Sequence, residues 1–254
     1  GAVCIRSLSS YAKVYFTSSD TRPGMATALL LPFADILGII ALESRRGKCL
    51  VIADNTRLLT EEDRQLLEET DIFPSLVLFR EKDRQGGWLP AAAHPRHGFI
   101  SSSPPFLATL RGFWAGSDIA AIAEAGLYRS EKEKERAILD RTADRARLLI
   151  TLDHAALLPQ GYHIDPATVR YLDRELISSL LVHLAASPAK ILLVSLDDLL
   201  RLDSLAEPPG FPVQEFRTYR YPDELENIFA DQAHRLLFSA FCRQRGIGVT
   251  RPSA

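Results

Sequence analysis

The sequence predicts an α/β protein with a parallel sheet, because short apolar runs alternate with amphipathic helical segments. Three of these runs are residues 49–53, 75–79 and 190–194. Continuous apolar runs of this length are typical of strands that are covered on both faces. Two shorter runs, residues 3–5 and 99–102, are candidates for further strands. Strands that alternate with helices are the pattern of βαβ units.

The clearest helix is predicted over residues 32–47. Phe33, Leu37 and Ile40 recur at helical spacing. Gly47 is suited to the C′ position, where the backbone often turns left-handed. The helix leads directly into the first long strand, as expected for a helix packed on a parallel sheet.

Other helices are expected further along the chain. Thr60 can cap one of them, with acidic residues in its first turn. Residues 129–147 carry interleaved charges of both signs, which is typical of a solvated face supported by i,i+4 pairs. Residues 165–187 predict a longer helix with leucines on one face. Prolines within residues 207–212 interrupt regular structure, and Pro222 then opens a C-terminal helix.

Composition narrows the class of protein. The chain has 254 residues, of which 46% are hydrophobic and 24% are charged. We expect one domain, residues 1–254, and the length is close to the roughly 250 residues of a (β/α)8 barrel. The formal net charge is −2. There is thus no basic field to attract nucleic acid or an anionic membrane, and neither is expected as a partner.

Cysteine usage and hydropathy predict a cytoplasmic protein. Its three cysteines are odd in number and far apart, which argues against a disulfide framework. The most apolar window, residues 26–42, is interrupted by Pro32 and Asp35. We therefore interpret it as buried core rather than a membrane span, and we expect no signal peptide.

Histidines offer a weak metal signal. His94 and His97 flank a proline and an arginine, and no carboxylate or thiolate stands at a fitting spacing. We predict two exposed loop histidines and no metal.

Two pairs of adjacent titratable residues suggest acid–base chemistry. We expect Asp153 and His154 at a helix terminus or turn, and Asp197 and Asp198 as an exposed N-cap. The sequence contains no Gly-rich phosphate loop, Cys-x-x-Cys or Gly-x-Ser-x-Gly motif, so the commonest nucleotide, zinc and hydrolase signatures are missing. No cofactor is expected.

Two longer blocks resemble a known family. In residues 32–55, an Ala-Leu-Glu-Ser helix leads into a Cys-x-Val-Ile strand, and residues 109–119 read Thr-Leu-Arg-Gly-Phe-Trp-Ala-Gly-Ser-Asp-Ile. Both are similar to the 4-alpha-glucanotransferases (amylomaltases) of glycoside hydrolase family 77. Weaker similarity covers nearly the whole chain and corresponds to the C-terminal half of such an enzyme.

This resemblance implies a partial (β/α)8 TIM barrel with strands four to eight and the C-terminal helices. It implies an α-1,4-glucan as ligand in maltodextrin or glycogen metabolism. It also implies a partner for the barrel, either the missing N-terminal half or a second polypeptide, because strands one to three would be absent.

The catalytic positions depart from the family pattern. Retaining glycosidases need a carboxylate nucleophile and a carboxylic acid/base about 5–5.5 Å apart. The family's nucleophile position matches Arg6, its acid/base position matches Asp54, and its third carboxylate position matches Phe106. The resemblance therefore predicts an impaired enzyme, either a pseudoenzyme or a fragment. The alternatives are an active transferase when the missing half is supplied, and a non-catalytic structural or interaction subunit.

Tryptophans are candidate sugar platforms, because aromatic faces pack on the apolar face of a sugar. Trp114 lies in a helix-like block and is expected in the core. Trp88 follows two glycines in a loop, so we predict that it is exposed and contacts substrate.

Overall fold

The α/β class is confirmed by the structure. The computed structural model describes residues 1–5, 8, 13–16, 27–30, 32–54, 60–83, 86–103, 108–203, 221 and 224–247. Its strands are β1 Ala2–Ile5, β2 Lys13–Phe16, β3 Thr27–Leu30, β4 Leu50–Ala53, β5 Ile72–Val77, β6 Phe99–Ser101 and β7 Ile191–Leu193. Its α-helices are α1 Phe33–Gly47, α2 Glu61–Glu69, α3 Leu110–Ala115, α4 Ser117–Glu124, α5 Glu131–His154, α6 Arg174–Ala185, α7 Leu196–Leu199, α8 Leu225–Ala230 and α9 Gln232–Gln244.

Five strands form one sheet in the order β1-β4-β5-β6-β7, and β2 and β3 form a separate antiparallel pair. Strand β4 runs parallel to both β1 and β5. Ile5 pairs with Ala53, and Val51 pairs with Ile72. The five strands predicted from the sequence are therefore all present. Strand β5 begins three residues before the predicted start and ends at Val77, where a 3-10 turn follows.

The chain divides into two compact units. The first comprises Gly1–Leu76, Pro95–Ile100 and Ala189–Ile191. Its core is a cluster of buried apolar side chains: Leu8, Phe33, Leu37, Val51, Ala53, Leu67 and Ile72. Helix α1 and strand β4 both contribute to this cluster, which is the packing that the helix-then-strand pattern predicted.

Helix α1 ends differently from the prediction. Gly47 is its last residue, and Lys48 takes the left-handed conformation with φ of 48°. Its outer face also carries Ile39 and Leu42, which are 64% and 56% exposed. The interpretation of the whole apolar window as buried core is therefore wrong at these two positions. Within the described residues, no helix has the length and apolar character needed to cross a bilayer.

The second unit comprises Val77–His94, Ser101–Pro188 and Leu192–Ala254. Leu176, Leu180 and Leu184 of α6 are buried and form the predicted apolar face. The helix starts later than residue 165, because Asp173 caps it and the preceding segment forms turns. In the first of these turns the Asp165 carboxylate accepts from the backbone of Ala167, a local bond that competes with helix formation.

Of the remaining helices, α2 begins as predicted, whereas α5 differs from the prediction in which of its residues are buried. Thr60 caps α2 as expected and exchanges hydrogen bonds with Asp63 in a capping box. The charged segment forms α5, but Arg141 and Asp144 on it are buried rather than solvated. Residues 207–212 and Pro222 lie outside the described residues. The single domain stays a prediction.

Candidate functional site

Asp54, the predicted acid/base position, directly follows β4 at the carboxyl end of the strand. Its backbone N–H donates to the carbonyl of Ile5 at 2.9 Å, and its carbonyl accepts from Leu8 at 3.4 Å. Its side chain is partly exposed. Ile5 and Ala53 are paired in register, so the carboxyl ends of β1 and β4 lie at one edge of the sheet. In parallel α/β sheets this is the edge where ligands bind.

The other two family positions lie outside the described residues. Arg6 is the residue after Ile5, the last residue of β1, in the sequence. Phe106 belongs to residues 104–107, which follow the end of β6. Both stay predictions.

Sequence reasoning missed a buried carboxylate, Asp198. We expected an exposed N-cap there, but Ser195 caps α7 and Asp198 is 1% exposed. Its Oδ2 accepts from the hydroxyls of Ser102 and Ser103, both at 2.6 Å. Its Oδ1 accepts from the backbone N–H of Leu110 at 2.7 Å. The prediction of an exposed cap is therefore wrong, because three donors hold this carboxylate inside the protein.

Asp198 forms hydrogen bonds with residues on both sides of 104–107 in the sequence. Ser102 and Ser103 precede that segment and Leu110 starts α3 beyond it. Burial raises the pKa of Asp198, while the bonds from the two serines and Leu110 act in the opposite direction. Ser102 also accepts from the backbone of Ser195 at 3.0 Å, so the network reaches the start of α7.

A second set of bonds holds the start of α3. The Thr109 hydroxyl donates to the carbonyl of Leu202 at 2.9 Å and accepts from Gly112 in the first turn. Arg111 donates to the carbonyl of Arg201 at 2.7 Å and pairs with Asp203 at 3.0 Å. For the network around Asp198, the sequence signal was the run of serines before two prolines, because serine hydroxyls beside a buried strand need acceptors.

Trp88 is buried, which contradicts the predicted exposed platform. It is 6% exposed, and its indole N–H donates to the carbonyl of Asp144 at 3.1 Å. It meets Phe113 edge-on with ring centroids 6.2 Å apart, and Lys82 lies 5.0 Å from its ring centroid. The ring is therefore occupied by protein contacts and presents no free face to a sugar. Trp114 is 1% exposed, so its expected place in the core is confirmed.

The histidines near residue 95 are also buried, against the prediction. His97 lies with Nε2 3.1 Å from the carbonyl of Ile72 and stacks on Phe73 with centroids 4.2 Å apart. Burial, and then the nearby His183, lower the pKa of His94 to about 4. Within the described part of the chain, no group of three or more His, Cys, Asp or Glu could hold a metal ion.

Asp153 and His154 close α5 and are exposed, which confirms their predicted place at a helix terminus. The three cysteines, Cys4, Cys49 and Cys242, form no disulfide.

The sequence profile of the 4-alpha-glucanotransferase family, glycoside hydrolase family 77, matches residues 14–222. The chain belongs to this family. It is 28% identical over 223 residues to the 4-alpha-glucanotransferase of Haemophilus influenzae, an alignment that covers 85% of this chain and 31% of that protein. It is 24% identical over 252 residues to the 4-alpha-glucanotransferase of Mycobacterium tuberculosis, covering 94% of this chain and 33% of that protein.

Solved structures show the same fold. The amylomaltase from Corynebacterium glutamicum superposes with a TM-score of 0.73 at 17% identity, covering 94% of this chain and 35% of that one. The amylomaltase from Streptococcus agalactiae, solved in complex with acarbose, gives 0.57 at 12% identity, covering 97% of this chain and 41% of that one. The chain thus spans about a third of the length of the curated relatives it matches.

Proposed function

We propose that this chain is a 4-alpha-glucanotransferase-like protein of α-1,4-glucan metabolism whose own catalytic site is impaired. Membership of glycoside hydrolase family 77 supports the substrate class. The residues at the family's catalytic positions support the impairment, since two of the three carry no carboxylate.

The observation that carries this proposal is the placement of Asp54 beside the end of β1. Its backbone N–H bonds to Ile5, the residue that precedes Arg6 in the sequence. An arginine there cannot attack an anomeric carbon, and its charge opposes a cationic transition state. Asp54 keeps a carboxyl group but is one methylene shorter than glutamate, a displacement on the order of 1 Å that can cost about a hundredfold in rate.

A transfer assay tests the impairment. We expect maltotriose incubated with this chain to yield neither glucose nor longer maltodextrins by chromatography. Sustained turnover that disappears in Asp54→Ala, but persists in Asp35→Asn, would overturn the proposal. Asp35 is the matched control because it is an exposed carboxylate in the first turn of α1, remote in sequence from the family's catalytic positions.

The alternative is an active transferase completed by further barrel strands. In this alternative, the five-stranded sheet corresponds to strands four to eight of a (β/α)8 barrel. Strands β1 and β7 lie at the two ends of that sheet. Val3 on β1 is 51% exposed, as an apolar strand residue would be where a neighbouring strand covers it in the complete barrel. In this proposal the partner is an N-terminal barrel half, either in the same polypeptide or in a second chain.

Light scattering after size exclusion tests the requirement for a partner. If the barrel needs completion, this chain alone is expected to self-associate or to lack cooperative unfolding. A cooperative monomer of 28.2 kDa would argue against obligatory pairing.

A third candidate is a structural subunit without sugar affinity. Calorimetric titration with maltoheptaose separates it from a glucan-binding protein. We expect binding heat and a raised melting temperature; the absence of both would leave only the structural function. The cytoplasmic location and the single domain remain part of the proposal.

A further inference from the structure

Helix α1 carries four aligned side chains on the side that faces away from the core. Asp35, Ile39, Leu42 and Arg46 follow one another at spacings of four, three and four residues, so they share one face of the helix. All four are exposed, and Ile39 and Leu42 are 64% and 56% exposed. These four residues are called the outer face of α1 below.

The outer face lies opposite the buried face of the same helix. Phe33, Leu37 and Ala41 are the buried residues of α1, and Phe33 and Leu37 belong to the core of the first compact unit. At about 100° per residue, the mean direction of the outer face is roughly 170° away from theirs. The core that α1 covers therefore leaves Ile39 and Leu42 in water, where two neighbouring large apolar side chains indicate an interaction surface.

Gly38 lies beside the outer face, and packing within the chain does not require a glycine there. Apart from the adjoining helix backbone, a Cβ atom at this position would meet no described atom within 4 Å. Glycine weakens a helix interior relative to alanine. A missing side chain at this position lets a second helix approach α1 more closely, because the distance between packed helices depends on the side chains at the contact.

The charges of the outer face have opposite signs at its two ends. Asp35 lies in the first turn of α1 and has no ion-pair partner among the described residues. Arg46 lies in the last turn beside Arg45, and it pairs with Glu43 at 3.1 Å. Both members of that pair are largely exposed. Such a pair contributes little, so Arg46 can also meet a carboxylate from another chain at small cost.

An antiparallel pairing of two outer faces matches every residue with a complementary one. Ile39 and Leu42 are equally far from the midpoint of the face, and so are Asp35 and Arg46. A twofold axis through that midpoint places Ile39 of one copy against Leu42 of the second copy, and Asp35 against Arg46. A parallel pairing would place like charges together, which costs affinity.

We propose that the outer face of α1 binds the same face of a second copy of this chain, antiparallel across a twofold axis. The apolar side chains supply affinity, and the two ion pairs determine the orientation. Because one 15-residue helix from each copy provides the contact, the interface is smaller than the roughly 1,200 Å² of a standard one. The dissociation constant is therefore expected on the order of 10 μM. The face contains none of the family's catalytic positions, so the proposal does not depend on the function proposed above.

Sedimentation equilibrium of the full chain, at about 1 to 100 μM, tests this surface. We expect reversible association of the 28.2 kDa monomer to a dimer. Leu42→Glu should weaken it at least about tenfold, because the introduced charge occurs twice beside the axis. Leu139→Glu is the matched control, since Leu139 is a 66% exposed leucine on α5, and association should stay within about twofold.

Charge reversal tests the ion pairs without changing the apolar contact. Asp35→Arg alone brings arginines together twice in the dimer, and Arg46→Glu alone brings carboxylates together twice, so each should weaken association about tenfold. An equimolar mixture of the two variants restores both ion pairs across the axis. It should associate to within about twofold of the parent chain, which also excludes a folding defect in either variant.

Three results would contradict the proposal. Equal association of the parent chain and Leu42→Glu would overturn this surface and would favour association through the open ends of the sheet. A mixture of Asp35→Arg and Arg46→Glu that associates no better than either variant alone would overturn the matching of opposite charges. A parent chain that stays monomeric up to about 100 μM would overturn the proposal altogether.

Discussion

Two aspartates, Asp54 at the end of β4 and Asp198 on α7, lie in different environments. Asp54 follows β4 with a partly exposed side chain, and its backbone, rather than its carboxylate, makes the bonds to Ile5 and Leu8. Asp198 is enclosed by Ser102, Ser103 and the backbone of Leu110. The side chain of Asp54 is partly exposed to solvent, whereas that of Asp198 is enclosed by the protein. Two aspartates that both follow sheet strands in the sequence can therefore differ completely in burial.

Replacing Asp198 should have the largest effect. Asp198→Ala removes the acceptor of three buried donors, so we expect the free energy of unfolding to fall by about 3–5 kcal/mol. Urea denaturation measures this loss. Asp197→Ala is the matched control, because its side chain is outside the network, and should cost about 0.5 kcal/mol. A loss of less than about 1 kcal/mol for Asp198→Ala would mean that the enclosed carboxylate does not hold this region.

The second effect is a dependence of stability on pH, which we expect from the buried imidazole of His94. The Nδ1 of His94 has no hydrogen-bond partner among the described residues. Its pKa is about 4 in the folded protein against an ordinary 6.5, so the unfolded chain takes up the proton first. The free energy of unfolding therefore has its full value above pH 6.5. It falls by on the order of 3 kcal/mol as the pH falls towards 4.

Unfolding curves between pH 7 and 4 measure this dependence. His94→Gln should flatten the profile, whereas His154→Gln, at the exposed end of α5, should leave it unchanged. Equal slopes in the parent chain and His94→Gln would contradict the assignment to His94.

A smaller effect distinguishes the two serines of the network. The Ser102 hydroxyl donates to Asp198 and accepts from Ser195, whereas the Ser103 hydroxyl donates to Asp198. We expect Ser102→Ala to cost about 2 kcal/mol and Ser103→Ala about 1 kcal/mol. Denaturation midpoints of the two variants test the order, and the reverse order would show that the link to α7 contributes nothing.

The smallest effect is expected at Asp54. Asp54→Ala keeps both backbone bonds and removes a partly exposed side chain, whose interactions contribute little, so stability should change by no more than about 0.5 kcal/mol. Thermal unfolding of this variant measures it. A loss comparable to that of Asp198→Ala would show that Asp54 is also a structural carboxylate, and the contrast between the two strand ends would disappear.

Local patterns predicted most of the elements. The apolar runs and the capping residue Thr60 each report on their own segment, and the structure confirms β4, β6, β7 and the start of α2. Errors arose where competing local bonds stopped a helix, as at Asp165, or where a neighbouring element determined burial.

Burial of polar groups was the main failure. Trp88, His94, His97 and Asp198 were all predicted exposed because they lie in loops or beside charged residues, and all are buried. In each case distant residues supply the cover: the acceptor of Trp88 is 56 residues away, and the donors to Asp198 are 88 to 96 residues away. Hydrophobic periodicity contains no information about such partners.

By itself the sequence determined the α/β class, the positions of the main strands along the chain and the family, because these depend on local patterning and on motifs read directly from residues. Only the tertiary structure decided which polar side chains are enclosed and which reach solvent. That outcome depends on contacts between segments far apart in the chain, as when Asp198 accepts from Ser102 and Trp88 donates to Asp144. The difference between an enclosed carboxylate and a partly exposed one is therefore a property of packing.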